Sequence, residues 1–113
     1  MTMPAYNSFE LYKGDTLRFS LTLQTSGSAY SIPSGTEFSG AVKKKGSSTA
    51  TAEFDTSVTS ASAGKVLFTL SSTNSTLLDA NKNWVYDVQM MNSSSVVTTL
   101  MTGNIFVTDE VTL

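Results

Sequence analysis

The chain has 113 residues, no cysteine and no histidine, and its formal net charge is −2. The missing residue types exclude disulfides, thiolate nucleophiles, Ser–His–Asp triads and the commonest transition-metal ligand sets, so we expect no enzyme, no metal and no cofactor. Charged residues are only 14% of the chain, against roughly a quarter in ordinary domains. Binding to nucleic acid needs a positive surface field, and a chain with few charges and a net charge of −2 predicts no nucleic-acid partner.

The sequence shows no sign of membrane insertion or export. No stretch approaches the roughly 18 consecutive apolar residues of a membrane-spanning helix. The opening segment, MTMPAYNSFELYKGD, lacks the basic and apolar regions of a signal peptide. We therefore expect a protein made in a cytoplasm, without a membrane partner, and forming a single domain over residues 1–113.

In chain order, the first half alternates apolar and polar residues with the period of a β-strand. The segment SFELYKGD predicts a short strand that ends in a turn at Gly14 and Asp15. In the following TLRFSLTLQ, four apolar side chains share one face: Leu17, Phe19, Leu21 and Leu23. The segments EFSGAVKKK and TATAEFDT predict two more strands, separated by Ser- and Gly-rich loops. Their inward residues are Phe38, Gly40, Val42, Ala52 and Phe54.

The second half continues the alternation around one helical turn. The segment GKVLFTLS predicts a strand with Val66, Phe68 and Leu70 inward, and WVYDVQMM predicts one with Trp84, Tyr86, Val88 and Met90 inward. Between them, SSTNSTLLDAN predicts a helical turn capped by Ser72 or Thr73, with Leu77 and Leu78 packed beneath the sheets. The last segment, SVVTTLMTGNIFVTDEVTL, predicts a strand pair or one long strand with a bulge at Gly103. Together these elements predict an all-β fold, a single immunoglobulin-like antiparallel β-sandwich of about seven or eight strands with one short helical turn.

The polar turn before the Trp84 strand predicts a structural corner rather than a catalytic site. In many immunoglobulin-like sandwiches such a turn crosses between the sheets, and a tyrosine near the start of the penultimate strand bonds its hydroxyl back to the turn. Tyr86 fits this role, and Leu78 and Trp84 are expected to close the core around it. We expect Asp79 to accept hydrogen bonds from turn amides and Asp87 to face solvent.

Four segments carry a resemblance to a known family: YKGDTLRFSLTL, SGAVKKK, GKVLFTLSSTNSTLLDANKNWVYDVQMM and VVTTLMTGNIFVTDEVT. They resemble the small immunoglobulin-like structural domains of bacteriophage tail and baseplate proteins, including the N-terminal domain of upper-baseplate proteins. The resemblance extends from about Leu11 to Thr112. It implies a non-enzymatic virion structural protein in a tail, baseplate, accessory or decoration position, with other virion proteins as partners.

The last strands carry more apolar residues than one buried face requires. Met91, Val97 and Met101, with Leu67 of an earlier strand, are the surplus residues. Large apolar patches seldom stay bare, so either another subunit or a loop or chain end is expected to cover them. If a second copy covers them, the expected product is a closed homo-oligomer of the trimer or hexamer class.

Three consecutive lysines, Lys43, Lys44 and Lys45, form the only run of like charge. Their simplest interpretation is a solvated strand end that discourages edge pairing. In a virion the same lysines could meet an acidic neighbour at a subunit interface.

A second functional hypothesis is a carbohydrate-binding or host-adhesion sandwich. Its candidate aromatic contacts are Tyr6, Tyr12, Tyr30 and Trp84. Trp84 is expected in the core, whereas Tyr30 lies in the long loop TSGSAYSIPSG and is the preferred exposed contact.

Two carboxylate pairs are candidates for an acid–base pair or a calcium site. They are Glu53 with Asp55 and Asp109 with Glu110. Glu53 and Asp55 would share the solvent face of one strand, where nothing obvious raises a carboxyl pKa. No loop has the dense Asp, Asn and Gly spacing that calcium favours. Both pairs are therefore interpreted as surface charges.

Overall fold

The computed structural model describes residues 5–25 and 27–109, which form two β-sheets packed face to face. The strands are β1 (Ala5–Tyr6), β2 (Phe9–Tyr12), β3 (Leu17–Thr22), β4 (Gln24–Thr25), β5 (Ser28–Ala29), β6 (Glu37–Lys44), β7 (Ala52–Glu53), β8 (Asp55–Ser60), β9 (Lys65–Leu70), β10 (Lys82–Met91) and β11 (Val97–Thr108). The helical turn α1 (Ser72–Ser75) lies between β9 and β10.

The larger sheet has the order β1-β11-β10-β6-β7, and β2 also pairs with β11. The smaller sheet has the order β3-β9-β8, and β4 and β5 form a separate hairpin. The prediction of an all-β sandwich is confirmed. Two details differ: β1 and β2 run parallel to β11, and the described residues hold more strands than predicted because several have only two residues.

The core lies between the sheets and follows the predicted alternation. In β10 the residues Trp84, Tyr86, Val88 and Met90 are all buried. Phe19 of β3 joins the two layers, because its ring stacks on Phe68 of β9 at 5.4 Å and on Phe9 of β2 at 5.2 Å. Such aromatic contacts contribute about 0.5–1.5 kcal/mol each beyond the burial of their area.

The segment TATAEFDT, predicted as one strand over 49–56, is instead divided between the sheets at Phe54. β7 ends at Glu53 in the larger sheet and β8 begins at Asp55 in the smaller one. Phe54 is buried at the crossing, and its N–H donates to the Gly40 carbonyl at 2.9 Å. A Cβ at Gly40 would come within 2.8 Å of the Phe54 ring, so the crossing depends on the missing side chain.

The last strand is one long strand, and its bulge is not where the sequence predicted it. The register between β10 and β11 shifts between Val88 and Gln89, opposite Leu100. Gly103 remains in the ladder opposite Tyr86. A Cβ on Gly103 would overlap the Asn7 carbonyl oxygen, so the glycine permits the close approach of the segment between β1 and β2.

The helical turn is capped one residue earlier than predicted. The Ser71 side chain accepts from the Asn74 N–H at 3.1 Å, as an N-cap serine does. Leu78 is fully buried as expected, but Leu77 is 53% exposed, so its prediction as a core residue was wrong. Leu77 and Leu78 are adjacent in the chain, so their side chains point in different directions and only Leu78 reaches the core.

Candidate interaction surfaces

The corner residues form a structural joint. Leu78 is fully buried and Trp84 is 1% exposed. The Trp84 indole Nε1–H donates to the Asp79 carbonyl at 3.1 Å and thereby fastens the turn to the start of β10. The Asp79 carboxylate does not follow its prediction, because it lies 3.6 Å from the Lys82 Nζ in an exposed ion pair rather than capping turn amides.

Tyr86 is buried, but its hydroxyl does not bond back to the turn as predicted. It donates instead to the Asn7 carbonyl at 2.6 Å, 79 residues away in sequence. Burial, with a smaller contribution from Tyr6, raises the pKa of Tyr86 to about 12. The tyrosine therefore anchors the N-terminal strands rather than the corner, because their parallel path along β11 brings Asn7 over Gly103.

The four predicted apolar interface residues do not form one surface. Met101 is only 4% exposed, because the bulge brings it to the core side opposite Val88. Leu67 lies on the smaller sheet, half-buried between Ser20 and Ser57 of the neighbouring strands. Met101 and Leu67 are therefore corrections to the predicted interface.

Met91 and Val97 do lie together. They are directly opposite each other in the β10–β11 ladder. Val97 is 54% exposed and Met91 is half-buried. Both line a groove of about 410 Å³, whose other apolar walls are Phe38 and Val58. We call this cleft the Val97 groove.

The Val97 groove extends across the open edge of the sandwich. Val58 belongs to β8 of the smaller sheet and is 43% exposed, while Phe38 belongs to β6 of the larger sheet. The two strands are linked there by the Thr56 hydroxyl, which donates to the Phe38 carbonyl at 3.3 Å. Thr36 also lines the groove, and its Oγ1 is buried without a hydrogen-bond partner among the described residues.

The three consecutive lysines do not form one continuous positive patch. Lys43 is half-buried and opposite Val85, on the outer face of the larger sheet. Lys44 is exposed, and its Nζ lies 6.0 Å from the centre of the Trp84 ring. Lys45 is exposed beyond the end of β6. Because alternate residues of a strand point to opposite faces, Lys43 and Lys44 leave β6 on opposite faces of the sheet.

Tyr30 is not the exposed loop contact that the sequence suggested. It is half-buried and packs against the core, and its N–H donates to the Leu23 carbonyl at 2.9 Å. The tyrosines that stand in solvent are Tyr6, 68% exposed, and Tyr12, 52% exposed. Both belong to the N-terminal strands beside β11.

Of the two predicted carboxylate pairs, the one that the structure describes in full lies on different elements of the fold. Glu53 and Asp55 belong to different sheets, so the prediction that they share one strand face was wrong. Asp109 is exposed and lies 3.5 Å from the Asn81 side-chain amide, whereas Glu110 lies outside the described residues. Within residues 5–25 and 27–109, no three acidic side chains converge as a metal ligand set.

These features define the class of the protein as a small β-sandwich with exposed apolar and aromatic surfaces on its larger sheet. A family model described as LtfC-like, β-sandwich domain matches residues 3–108. The chain belongs to this family. No curated protein matches the chain. In the part of the chain that the structure describes, no helix is long and apolar enough to cross a membrane.

Proposed function

We propose that the chain is a non-enzymatic structural module of a bacteriophage virion, in a tail, baseplate or accessory position, and that it acts through contacts with other subunits. Membership of a β-sandwich family supports the scaffold. The resemblance to phage tail and baseplate domains supports the setting. In this proposal the protein is made in the host cytoplasm and functions in the virion.

The Val97 groove is the observation that carries the proposal. Val97 and Val58 are both near half exposure, yet they share one cleft with Phe38 and Met91. Covering this cleft removes apolar surface from water, which contributes roughly 25 cal/mol per Å².

Self-association is tested by light scattering of the purified protein over a wide concentration range. We expect a discrete oligomer of the trimer or hexamer class, and we expect Val97→Ser to shift it to monomer. Val96→Ser is the matched control, because Val96 is 57% exposed but does not line the groove. A wild-type monomer at high concentration, or an unchanged mass in Val97→Ser, would contradict assembly through this cleft.

The virion setting needs its own test. Peptides of this chain should appear in the mass spectrum of purified particles of the phage that encodes it, in a constant ratio to the other structural proteins. Their absence from the particles would contradict the setting even if the isolated protein forms an oligomer.

A further inference from the structure

A second exposed surface follows β11 along its N-terminal neighbours on the outer face of the larger sheet. Tyr6 is opposite Thr102 and Tyr12 is opposite Thr108. Phe106 is half-buried and lies on β11 between Thr102 and Thr108, with its side chain on the outer face of the larger sheet. We call Tyr6, Phe106 and Tyr12 the aromatic strip. Its ends are six residues of β11 apart, a length of about 20 Å.

Polar side chains alternate with the rings of the aromatic strip. Phe106 has Glu10 directly opposite on β2 and Asn83 directly opposite on β10. Asn104 donates from its side-chain amide to the Tyr6 hydroxyl at 2.6 Å. That hydrogen bond holds the exposed Tyr6 ring in one orientation, so less side-chain entropy is lost when a ligand covers it.

The strip also bounds a concave surface. A cavity of about 280 Å³ lies between Tyr12 and Phe106, with Glu10 and Thr108 in its walls. Ligand sites of this kind combine apolar walls with a few placed polar groups that fix orientation. The cavity continues the strip toward the end of β11, away from the Val97 groove at the other end of the strand.

We propose that the aromatic strip binds a neutral oligosaccharide. A pyranose ring presents a face of C–H bonds that packs on an aromatic ring, while the hydroxyls at its edge exchange hydrogen bonds with amides, carboxylates and threonine hydroxyls. The strip offers both kinds of group in alternation. Its cross-strand neighbours include the carboxylate of Glu10, which would repel an anionic sugar and accept hydrogen bonds from a neutral one.

The same alternation disfavours a protein partner at this position. The buried centre of a protein interface is apolar and depleted in charge. Here the Glu10 carboxylate and the Asn83 amide lie directly opposite the central ring, and the Asn104 amide bonds to Tyr6. The Val97 groove is also lined by one carboxylate, that of Glu37, but it has four apolar walls from both sheets and is therefore the better subunit contact. The sugar proposal does not rest on that contact.

The proposal is tested by titrating ¹⁵N-labelled full-length protein with maltohexaose, cellohexaose and chitohexaose at millimolar concentration. We expect at least one of them to shift the amide signals of residues 102–108 and 9–12. Tyr6→Ala and Tyr12→Ala should each weaken that binding about tenfold, which matches the loss of one stacked ring. Leu77→Ala is the matched control, because Leu77 is 53% exposed but lies on the loop after α1.

Three outcomes of the titration would overturn the proposal. These outcomes are the absence of shifts on the strip with all three sugars, shifts confined to another surface, or unchanged binding in both tyrosine variants. If the strip signals alone shift or broaden with protein concentration in the absence of sugar, while the signals of the Val97 groove do not, the strip is a contact between copies and the proposal is wrong. The spectra of the variants also show directly whether they remain folded.

Discussion

At the scale of single residues, Tyr86 connects the N-terminal strands to the sandwich. Its ring is buried among Phe9, Phe19 and Phe54, and its hydroxyl reaches the Asn7 carbonyl. Gly103 leaves the space in which that carbonyl lies. The position of the aromatic strip, which begins at Tyr6, therefore depends on one buried hydroxyl and one missing side chain.

Tyr86 should make stability depend on pH in the alkaline range. Burial, and then the nearby Tyr6, raises its pKa from 10.0 to about 12 in the folded protein. Between these values the unfolded chain releases the proton while the folded chain retains it, so the contribution to stability is complete below pH 10 and is lost as the pH rises toward 12.

This prediction is checked by urea unfolding at several pH values for the wild type and Tyr86→Phe. We expect the free energy of unfolding of the wild type to fall more steeply between pH 10 and 12 than that of the variant. At neutral pH the variant should lose about 1 kcal/mol with its hydrogen bond to Asn7. Tyr12→Phe, which alters an exposed tyrosine, is the control. Parallel pH profiles of wild type and Tyr86→Phe would contradict the assignment.

At the scale of elements, the turn α1 links two parts of the chain through Ser75. Its side chain is fully buried, accepts from the Gly14 N–H at 3.0 Å and donates to the Ser72 carbonyl at 3.1 Å. The turn before β3 and the turn before β10 are thus held together by one hydroxyl. The sequence predicted both turns, but it contains no signal that they meet.

Ser75→Ala should destabilise the protein by about 1–3 kcal/mol, because it leaves the Gly14 N–H without its partner. The measurement is the midpoint and slope of a urea unfolding curve. Ser72→Ala, at an exposed position of the same turn, should cost much less. Equal effects of the two substitutions would show that the loss comes from the turn itself rather than from the contact with Gly14.

At the scale of the whole molecule, the structure separates residues that lie in the core from residues that are exposed on the surface. Met101 and Val97 lie four positions apart on β11, yet Met101 is 4% exposed and Val97 is 54% exposed. The bulge opposite Val88 reverses the alternation between them, so that Leu100 and Met101 are both buried. A contact surface therefore cannot be read from strand periodicity alone.

Met101→Ala should cost about 2–5 kcal/mol of stability, as truncation of a buried methionine does. Because Met101 lies in the core, the folded fraction should keep the oligomeric mass of the wild type. Val97→Ser should show the opposite pattern. Its oligomeric mass should fall, while the thermal stability of the subunit itself should stay close to that of the wild type. Thermal unfolding and light scattering on the same samples separate the two effects. A Met101→Ala protein with full stability and altered mass would return Met101 to the interface.

The core was predictable because an antiparallel strand with one buried face imposes its period on the sequence. Alternation alone predicts five inward residues that are all buried in the structure: Val66, Phe68 and Leu70 of β9, and Trp84 and Val88 of β10. The candidate sites were less predictable. The loop position of Tyr30 predicts an exposed side chain, but the side chain packs against the core, because loop membership does not determine burial.

The sequence by itself determined the fold class, the inward faces of the long strands and the exclusion of histidine and cysteine chemistry, because these depend on composition and on local period. Only the tertiary structure decided where the chain changes sheets at Phe54, where β11 bulges, and that β1 and β2 lie parallel to β11. These features arise from contacts between distant segments. They brought Tyr6, Phe106 and Tyr12 onto one face and removed Met101 from the surface.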